Sequence, residues 1–249
     1  MSTTVNASAD APQLSLSVVS HGQGQIVRQL LADLRKLKDT SFEILLTVNI
    51  PEDLGFLEAF GDLPLRVLHS PAARGFGANH NAAFALSRGR CFAVVNPDIR
   101  AARLALQPLL QALQDPQVGV CAPEVLSGAG TREDSARHFP TVARLLRRVL
   151  LRQRAPDYPG QTQPIRGDWV AGMFMVFDRR VFARVQGFDE RYFMYMEDVD
   201  ICRRMHRLGL RVMLQPAVRV VHDAQRASLR NPRHLAWHLR STLRYLTGH

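Results

Sequence analysis

Leu14-Ser15-Leu16-Ser17-Val18-Val19-Ser20 alternates apolar and polar residues. Past His21-Gly22, Ile26 to Leu37 sets its apolar residues at helical spacing, and Phe42-Glu43-Ile44-Leu45-Leu46-Thr47-Val48 follows. The first and third runs have the period and β-branching of strands, and the middle run has the period of a helix. Arg28, Asp33 and Arg35 are placed for the wet face of that helix. Leu65-Arg66-Val67-Leu68 is a third, short strand, and Asn79 to Leu86 is a helix opened after glycines. Cys91-Phe92-Ala93-Val94-Val95 is a fourth strand, Leu104 to Leu113 a helix, and Val118-Gly119-Val120-Cys121-Ala122 a further strand. The unbroken apolar character of Cys91–Val95 predicts a central strand buried on both faces. Strands alternating with helices predict an α/β fold: a mostly parallel, doubly wound sheet with helices on both faces.

From Ser127 to Pro164 the rhythm breaks. Val142 to Leu151 reads as a basic amphipathic helix and Ala155 to Pro164 as a Pro/Gly-rich loop leading to a return strand around Trp169 to Phe177. Leu210 to Val221 contains a late strand, and Pro232 to Leu246 is a terminal amphipathic helix with proline in its first turn. Residues 1–13 are polar, with no basic residue and no apolar core. They read as a disordered lead and not as a signal peptide. The expected organisation is one domain over residues 14–249.

With 46% hydrophobic and 22% charged residues, the 249-residue chain has an ordinary globular composition. No apolar run approaches the ~20 residues of a membrane span. Three dispersed cysteines imply neither a disulfide framework nor a zinc site, so a reducing cytoplasm is the expectation. The net charge of +10 is uneven: residues 1–142 carry 12 basic and 13 acidic groups, residues 143–249 carry 20 and 9. Nucleic acid, an anionic lipid surface or a polyanionic substrate would each account for that excess, and so would a genome-wide preference for arginine.

Three segments carry chemistry. Arg74-Gly75-Phe76-Gly77-Ala78-Asn79-His80-Asn81 is a Gly-rich turn between a strand and a helix, where backbone approaches a ligand and a helix N-terminus favours phosphate. Asn96-Pro97-Asp98 sits beyond the carboxyl end of the buried fourth strand, where open α/β sheets bind ligands. Its carboxylate suits a hard divalent cation. Gly187-Phe188-Asp189-Glu190-Arg191-Tyr192-Phe193-Met194-Tyr195-Met196-Glu197-Asp198-Val199-Asp200 places five carboxylates among aromatics and methionines. The adjacent pair Glu197-Asp198 disfavours double ionisation and raises a pKa, the making of a general base.

Together with Trp169-Val170-Ala171-Gly172, these segments stand in the order and spacing of the motifs of family-2 inverting glycosyltransferases. The chain resembles in particular the bacterial rhamnosyltransferase-like members, from about Leu14 to His222. The resemblance implies a GT-A-like fold, with a nucleotide-sugar half over residues 14–125 and an acceptor half over residues 126–249. It implies Asp198 as the base with Glu197 beside it, and Asp98 and His222 on Mg²⁺ or Mn²⁺. Ser20, His21, Asn49, Arg74, Gly75, Asn81 and Asn96 would contact the donor, and Trp169, Gly172, Asp189 and Glu190 the acceptor. Arg203 would neutralise part of the carboxylate cluster, and Asp200 would support the helix start.

Two departures bear on donor choice: Ser20-His21-Gly22 lacks the asparagine usual after the first strand, and Val48-Asn49-Ile50 lacks the aspartate usual after the second. The activity implied is inverting transfer of a hexose, including a deoxyhexose such as rhamnose, from a nucleoside-diphosphate sugar to a hydroxyl of a glycan or glycolipid in cell-surface polysaccharide synthesis. Three other readings compete. A sugar nucleotidyltransferase would need a basic Gly-rich loop after the first strand, which Gln23-Gly24 does not supply. A nucleic-acid module would interleave its arginines with exposed aromatics, which this chain does not, so no nucleic acid is expected as a partner. A membrane-surface module without catalysis is the third, through the terminal helix, whose Trp237 and Leu239 beside Arg240 and Arg244 suit a peripheral membrane surface, a homodimer contact or simple packing.

Overall fold

The computed structural model describes residues 11–150, 157–158, 160, 162–223 and 232–248. Most of the expected N-terminal lead and much of the Pro/Gly-rich loop lie outside these residues. The strands are β1 (Leu14–Ser20), β2 (Phe42–Val48), β3 (Leu65–His69), β4 (Cys91–Val95), β5 (Ile99–Arg100), β6 (Val118–Ser127), β7 (Ala136–Arg137), β8 (Ile165–Gly167), β9 (Trp169–Val170), β10 (Phe174–Asp178) and β11 (Arg211–His222). The helices are α1 (Gly24–Leu34), α2 (Phe76–Leu86), α3 (Gln107–Ala112), α4 (Val142–Leu150), α5 (Arg179–Arg184), α6 (Glu197–Arg207) and α7 (Pro232–Thr247).

The main sheet runs β3-β2-β1-β4-β10-β6-β11-β5, with β8 also on β11, while β7 and β9 form a small second sheet. β3, β2, β1 and β4 are mutually parallel, as are β6 and β11. β10 lies between the two groups, antiparallel to both β4 and β6. The expected return strand is thus two strands, β9 and β10. Between them Ala171–Met173 turns aside: Ala171 N–H donates to Ser135 O and Asn96 N–H to Met173 O.

Two apolar clusters cover the faces of the sheet. Leu14, Leu16 and Val18 pack with α1 and α3 residues on one side, and Phe92 and Val94 with Phe177, Phe182 and Met205 on the other. β1 is buried on both faces despite its alternating pattern. Ser15 Oγ donates to Glu43 Oε1 at 2.6 Å, and Ser17 Oγ meets His80 Nδ1 at 2.8 Å. The strand's polar face is therefore satisfied inside the protein, as burial requires.

Asp33 is not on a wet face: it is 1% exposed and accepts from Arg100 Nε at 2.8 Å and from Ala101 N–H. Its burial would raise its pKa, but the hydrogen bonds of Arg100 and Ala101, with the charges of Arg100 and Lys36, hold it below the ordinary value. This contact ties α1 to β5, next to Asp98.

α2 begins at Phe76, three residues before the expected start, with Gly75 extended as its N-cap. A Cβ at Gly75 would fall 2.5 Å from Phe193 O, and one at Gly77 2.6 Å from Phe188 Cβ. The two glycines let the loop before α6 cross the helix N-terminus, so they serve packing between chain segments. α6 ends at Gly209 in the left-handed region, φ +75°, the usual helix stop. Among the described residues no helix is long and apolar enough to cross a membrane.

Candidate active site

Two cavities adjoin at the carboxyl ends of β1 and β4, sharing Phe76, Asn96 and Met194 in their walls. The first, about 400 Å³, is lined by His21, Asn49, Arg74, Asn79, His80 and Asp98 together with His234 and Trp237 of α7. Asn49 brackets the loop that carries Arg74: its Oδ1 accepts from Arg74 N–H at 2.8 Å, and its Nδ2 donates to Arg74 O at 3.0 Å and to His21 Nδ1 at 3.1 Å. Where the resemblance would have an aspartate, this asparagine supplies both a donor and an acceptor and holds the cavity wall. His80 is fully buried, and desolvation lowers its pKa to about 3, so it is neutral beside Ser17.

Asp98 stands at the mouth of this cavity. Val221–His222 of β11 pairs antiparallel with Ile99–Arg100 of β5, which sets His222 Nε2 3.2 Å from Asp98 Oδ2. His222 Nδ1 meets Glu133 Oε2 at 2.9 Å. Asp98 Oδ1 is buried without a hydrogen-bond partner. The orphaned Asp98 oxygen fits a hard divalent cation, and His222, whose pKa the facing carboxylates of Asp98 and Glu133 raise to about 9, would join it as a ligand only on losing a proton. Among the described residues no three His, Cys, Asp or Glu side chains converge as a ready-made cage.

The second cavity, about 490 Å³, is lined by Glu133, Arg137, Trp169, Gly172, Glu197, Asp198 and His238. Tyr195 and Met196 both have positive φ, 71° and 70°, and turn the chain sharply into α6. Left-handed backbone costs about 1–2 kcal/mol at each non-glycine residue, and such strain gathers at functional sites. The turn puts Glu197 and Asp198 in the first helical turn, where the dipole favours anions. Gly172 N–H donates to Asp198 Oδ2 at 3.0 Å, and Val199 N–H to Asp198 Oδ1 at 2.8 Å. Burial raises the Asp198 pKa against these two hydrogen bonds and the charge of Arg137. Glu197 is 6% exposed with Oε2 unpartnered; burial, then the charge of Asp198, holds it well above the usual carboxylate range. The arrangement is two adjacent carboxyl groups whose pKa values burial raises, one of them aimed by two backbone N–H donors, facing a space of sugar size.

Several sequence-predicted residues lie elsewhere. Ser20 is buried, and its Oγ accepts from Gln23 N–H. Asn81 faces away from the donor-side cavity: its amide accepts from Phe188 N–H and donates to Phe188 O and Glu190. The helix start three residues earlier explains this, because it turns Asn79 and His80 to the cavity instead. Asp189 is paired with Arg191 at 2.7 Å, and its pKa is lowered by that hydrogen bond. Neither Asp189 nor Glu190 lines the acceptor-side cavity. Arg203 stacks on Tyr245 at 5.1 Å and Asp200 pairs with Arg204, so Arg137 is the arginine that acts on Asp198.

The terminal helix is the largest element missed as part of the site. Trp237 packs on Phe193 at 4.8 Å, Tyr195 OH meets His234 Nδ1 at 2.8 Å, and Ser241 Oγ donates to Met194 O. α7 is thereby laid over both cavities, and nothing local in its sequence signals that contact.

The glycosyl transferase family 2 model matches residues 15–177. An N-acetylglucosaminyl-diphospho-decaprenol L-rhamnosyltransferase of Mycobacterium tuberculosis is 32% identical over 166 residues, 61% of this chain and 53% of the relative. The chain thus spans about half the length of that relative. Rhamnosyltransferase WbbL of Escherichia coli K12 is 27% identical over 92% of this chain and 90% of its own. Among solved structures, GalNAc-T7 with UDP, GalNAc and Mn²⁺ aligns at TM-score 0.64 and 14% identity, over 87% of this chain and 44% of that one. Mannosyltransferase PcManGT of Pyrobaculum calidifontis, with GDP-Man and Mn²⁺, aligns at TM-score 0.61 and 17% identity, over 95% and 65%. The α/β architecture is therefore that of the GT-A glycosyltransferases. Since the family model takes in more than half of its length, the chain belongs to glycosyl transferase family 2.

Proposed function

We propose that the chain transfers a hexosyl group, a deoxyhexose such as rhamnose, with inversion from a nucleoside-diphosphate sugar to a hydroxyl of a lipid-linked glycan in cell-surface polysaccharide synthesis. One observation carries this reading: Asp98 and Asp198 line separate cavities that meet at Phe76, Asn96 and Met194. A donor diphosphate beside Asp98 and an acceptor beside Asp198 would then have their reacting atoms at that junction. The names of the mycobacterial and Escherichia coli relatives support rhamnose as the sugar, and the mycobacterial one a lipid diphosphate acceptor.

In this mechanism Asp198 removes the acceptor proton, with Gly172 and Val199 N–H fixing its carboxylate, while Glu197, its pKa held up by burial and by the Asp198 charge, stands beside it. Inversion follows from direct attack on the face opposite the diphosphate. Asp98 and His222 would hold Mg²⁺ or Mn²⁺. Such a cation, when bound, neutralises charge on the leaving diphosphate. Arg74 lines the donor-side cavity, where its guanidinium would meet a phosphate.

The outward stripe of α7, with Leu235, Leu239 and Leu243 each over 60% exposed and Arg240 beside them, is assigned to an anionic membrane surface. Activity is placed at the cytoplasmic face of that membrane.

Nucleoside-diphosphate release is the test. A panel of sugar donors with Mn²⁺ and a lipid-linked acceptor gives release and a mass-shifted product with one donor, and neither with Asp198→Asn. Absence of release, product and ligand-induced thermal stabilisation across the whole panel defeats the reading.

A further inference from the structure

Beyond the acceptor-side cavity, on the side away from the donor cavity, lies a groove of about 260 Å³ between α4 and α7. It opens into that cavity at Arg137, Trp169, Met196 and His238, which wall both, and it shares no wall residue with the donor cavity. Three spaces therefore follow one another: donor, acceptor, groove.

The groove is cationic. Arg137, Arg144 and Arg147 line it against one lining carboxylate, Asp157. That carboxylate is engaged, since Asp157 Oδ2 accepts from His138 N–H at 2.9 Å. Asp168, behind the groove, accepts from Phe139 N–H at 2.9 Å and stands 4.0 Å from Arg144. Arg144 gives one η nitrogen to Phe139 O at 3.0 Å, and Arg137 gives Nε to Asp134 and lies over the Trp169 ring at 5.5 Å. A guanidinium has five N–H donors, so both retain free η N–H groups. Arg147 is exposed on α4 with no ion pair among the described residues. Guanidinium groups gathered around a cleft repel one another unless an anion occupies it, and their planar forks match phosphate oxygens bidentately.

We propose that this groove is a second phosphate site, which takes the phosphate or diphosphate on the anomeric carbon of the acceptor sugar. The sugar then lies in the cavity with a hydroxyl at Asp198 and its charged tail between Arg137, Arg144 and Arg147. The proposal deepens the transferase reading, and a lipid headgroup or a soluble glycosyl phosphate would carry the same chemistry.

The test is calorimetric titration of the whole chain with inorganic pyrophosphate in excess chelator, which disables the cation-dependent donor site. Native protein binds saturably, and the Arg144→Gln/Arg147→Gln double variant binds about tenfold or more weakly. The variant's thermal unfolding and its binding of nucleoside diphosphate in Mn²⁺ stay as in the native chain, which separates groove loss from misfolding. Dodecyl diphosphate binding more tightly than pyrophosphate assigns the group to a lipid headgroup, and equal binding assigns it to a soluble glycosyl phosphate. Pyrophosphate binding unchanged in the double variant, or absent from native protein up to about 1 mM, overturns the proposal. The titration needs no donor and no turnover, so failure of sugar transfer and failure of this site are read separately.

Discussion

His222 Nε2 lies 3.2 Å from Asp98 Oδ2, and the pairing of β11 with β5 is what brings the two side chains together. The other Asp98 oxygen is buried and unpartnered, so the pair has one donor atom that the protein does not use. If that atom serves a divalent cation on the donor diphosphate, Asp98→Asn lowers turnover by about 10²–10³-fold, the scale of losing one group that stabilises developing charge. His222→Ala lowers it less. Donor affinity loses its enhancement by Mn²⁺ in both variants, measured by equilibrium binding with and without chelator. Full turnover in excess chelator would remove Asp98 from this role.

Asp198 and Glu197 separate by pH. Asp198→Asn retains size and one of the two backbone contacts, of Gly172 or Val199 N–H, but removes the proton acceptor, so transfer falls about 10²–10⁴-fold while donor affinity holds. Glu197→Gln is milder because Glu197 is not the group that takes the acceptor proton. Burial raises the Asp198 pKa, so kcat/KM climbs with pH through a midpoint above the ~3.9 of an exposed aspartate. A near-native rate for Asp198→Asn would discard it as the base.

Trp237→Ala tests whether α7 belongs to the donor site. It removes the Phe193 contact and one wall of the cavity. Aromatic pairs contribute about 0.5–1.5 kcal/mol, so donor KM rises several-fold with kcat little changed. A drop in kcat alone, at unchanged KM, contradicts this placement.

Asp33 gives the fold an acid limit. Its native pKa lies below the unfolded value, so its contribution to stability is full above about pH 3.9 and is lost as pH falls through the native pKa. Asp33→Asn costs about 1–3 kcal/mol at pH 7, and its difference from native protein shrinks towards pH 2 in urea unfolding. A difference that grows on acidification would refute the assignment.

The outer leucines of α7 predict binding to anionic vesicles that high salt weakens and Leu239→Glu/Leu243→Glu reduces. Equal sedimentation with neutral and anionic vesicles would leave those leucines without this partner. A doubled mass in solution, lost in the same variant, would instead give them to a second copy of the chain.

The period of two in Leu14–Ser20, the apolar run of Cys91–Val95 and the glycine closing α6 made much of the α/β layering legible in sequence. Each is a local choice between strand, helix and turn, which neighbouring residues decide. The order of Asn96-Pro97-Asp98, Trp169 to Gly172 and Glu197-Asp198 likewise indicated a family before any coordinate did. Apolar spacing put Asp33 on a wet face because it tells which positions avoid water and not which partners they meet, and the family motif put Asn81 at the donor because motif order does not fix where a helix starts. Asp33 could be buried only because β5 delivers Arg100, and Asn81 turned to Phe188 only because α2 starts at Phe76. The antiparallel insertion of β10, the contact of His222 with Asp98 and the laying of α7 over both cavities join residues far apart in the chain. Their energy comes from packing and hydrogen bonds that exist only once the sheet has formed, so the tertiary structure alone decided them.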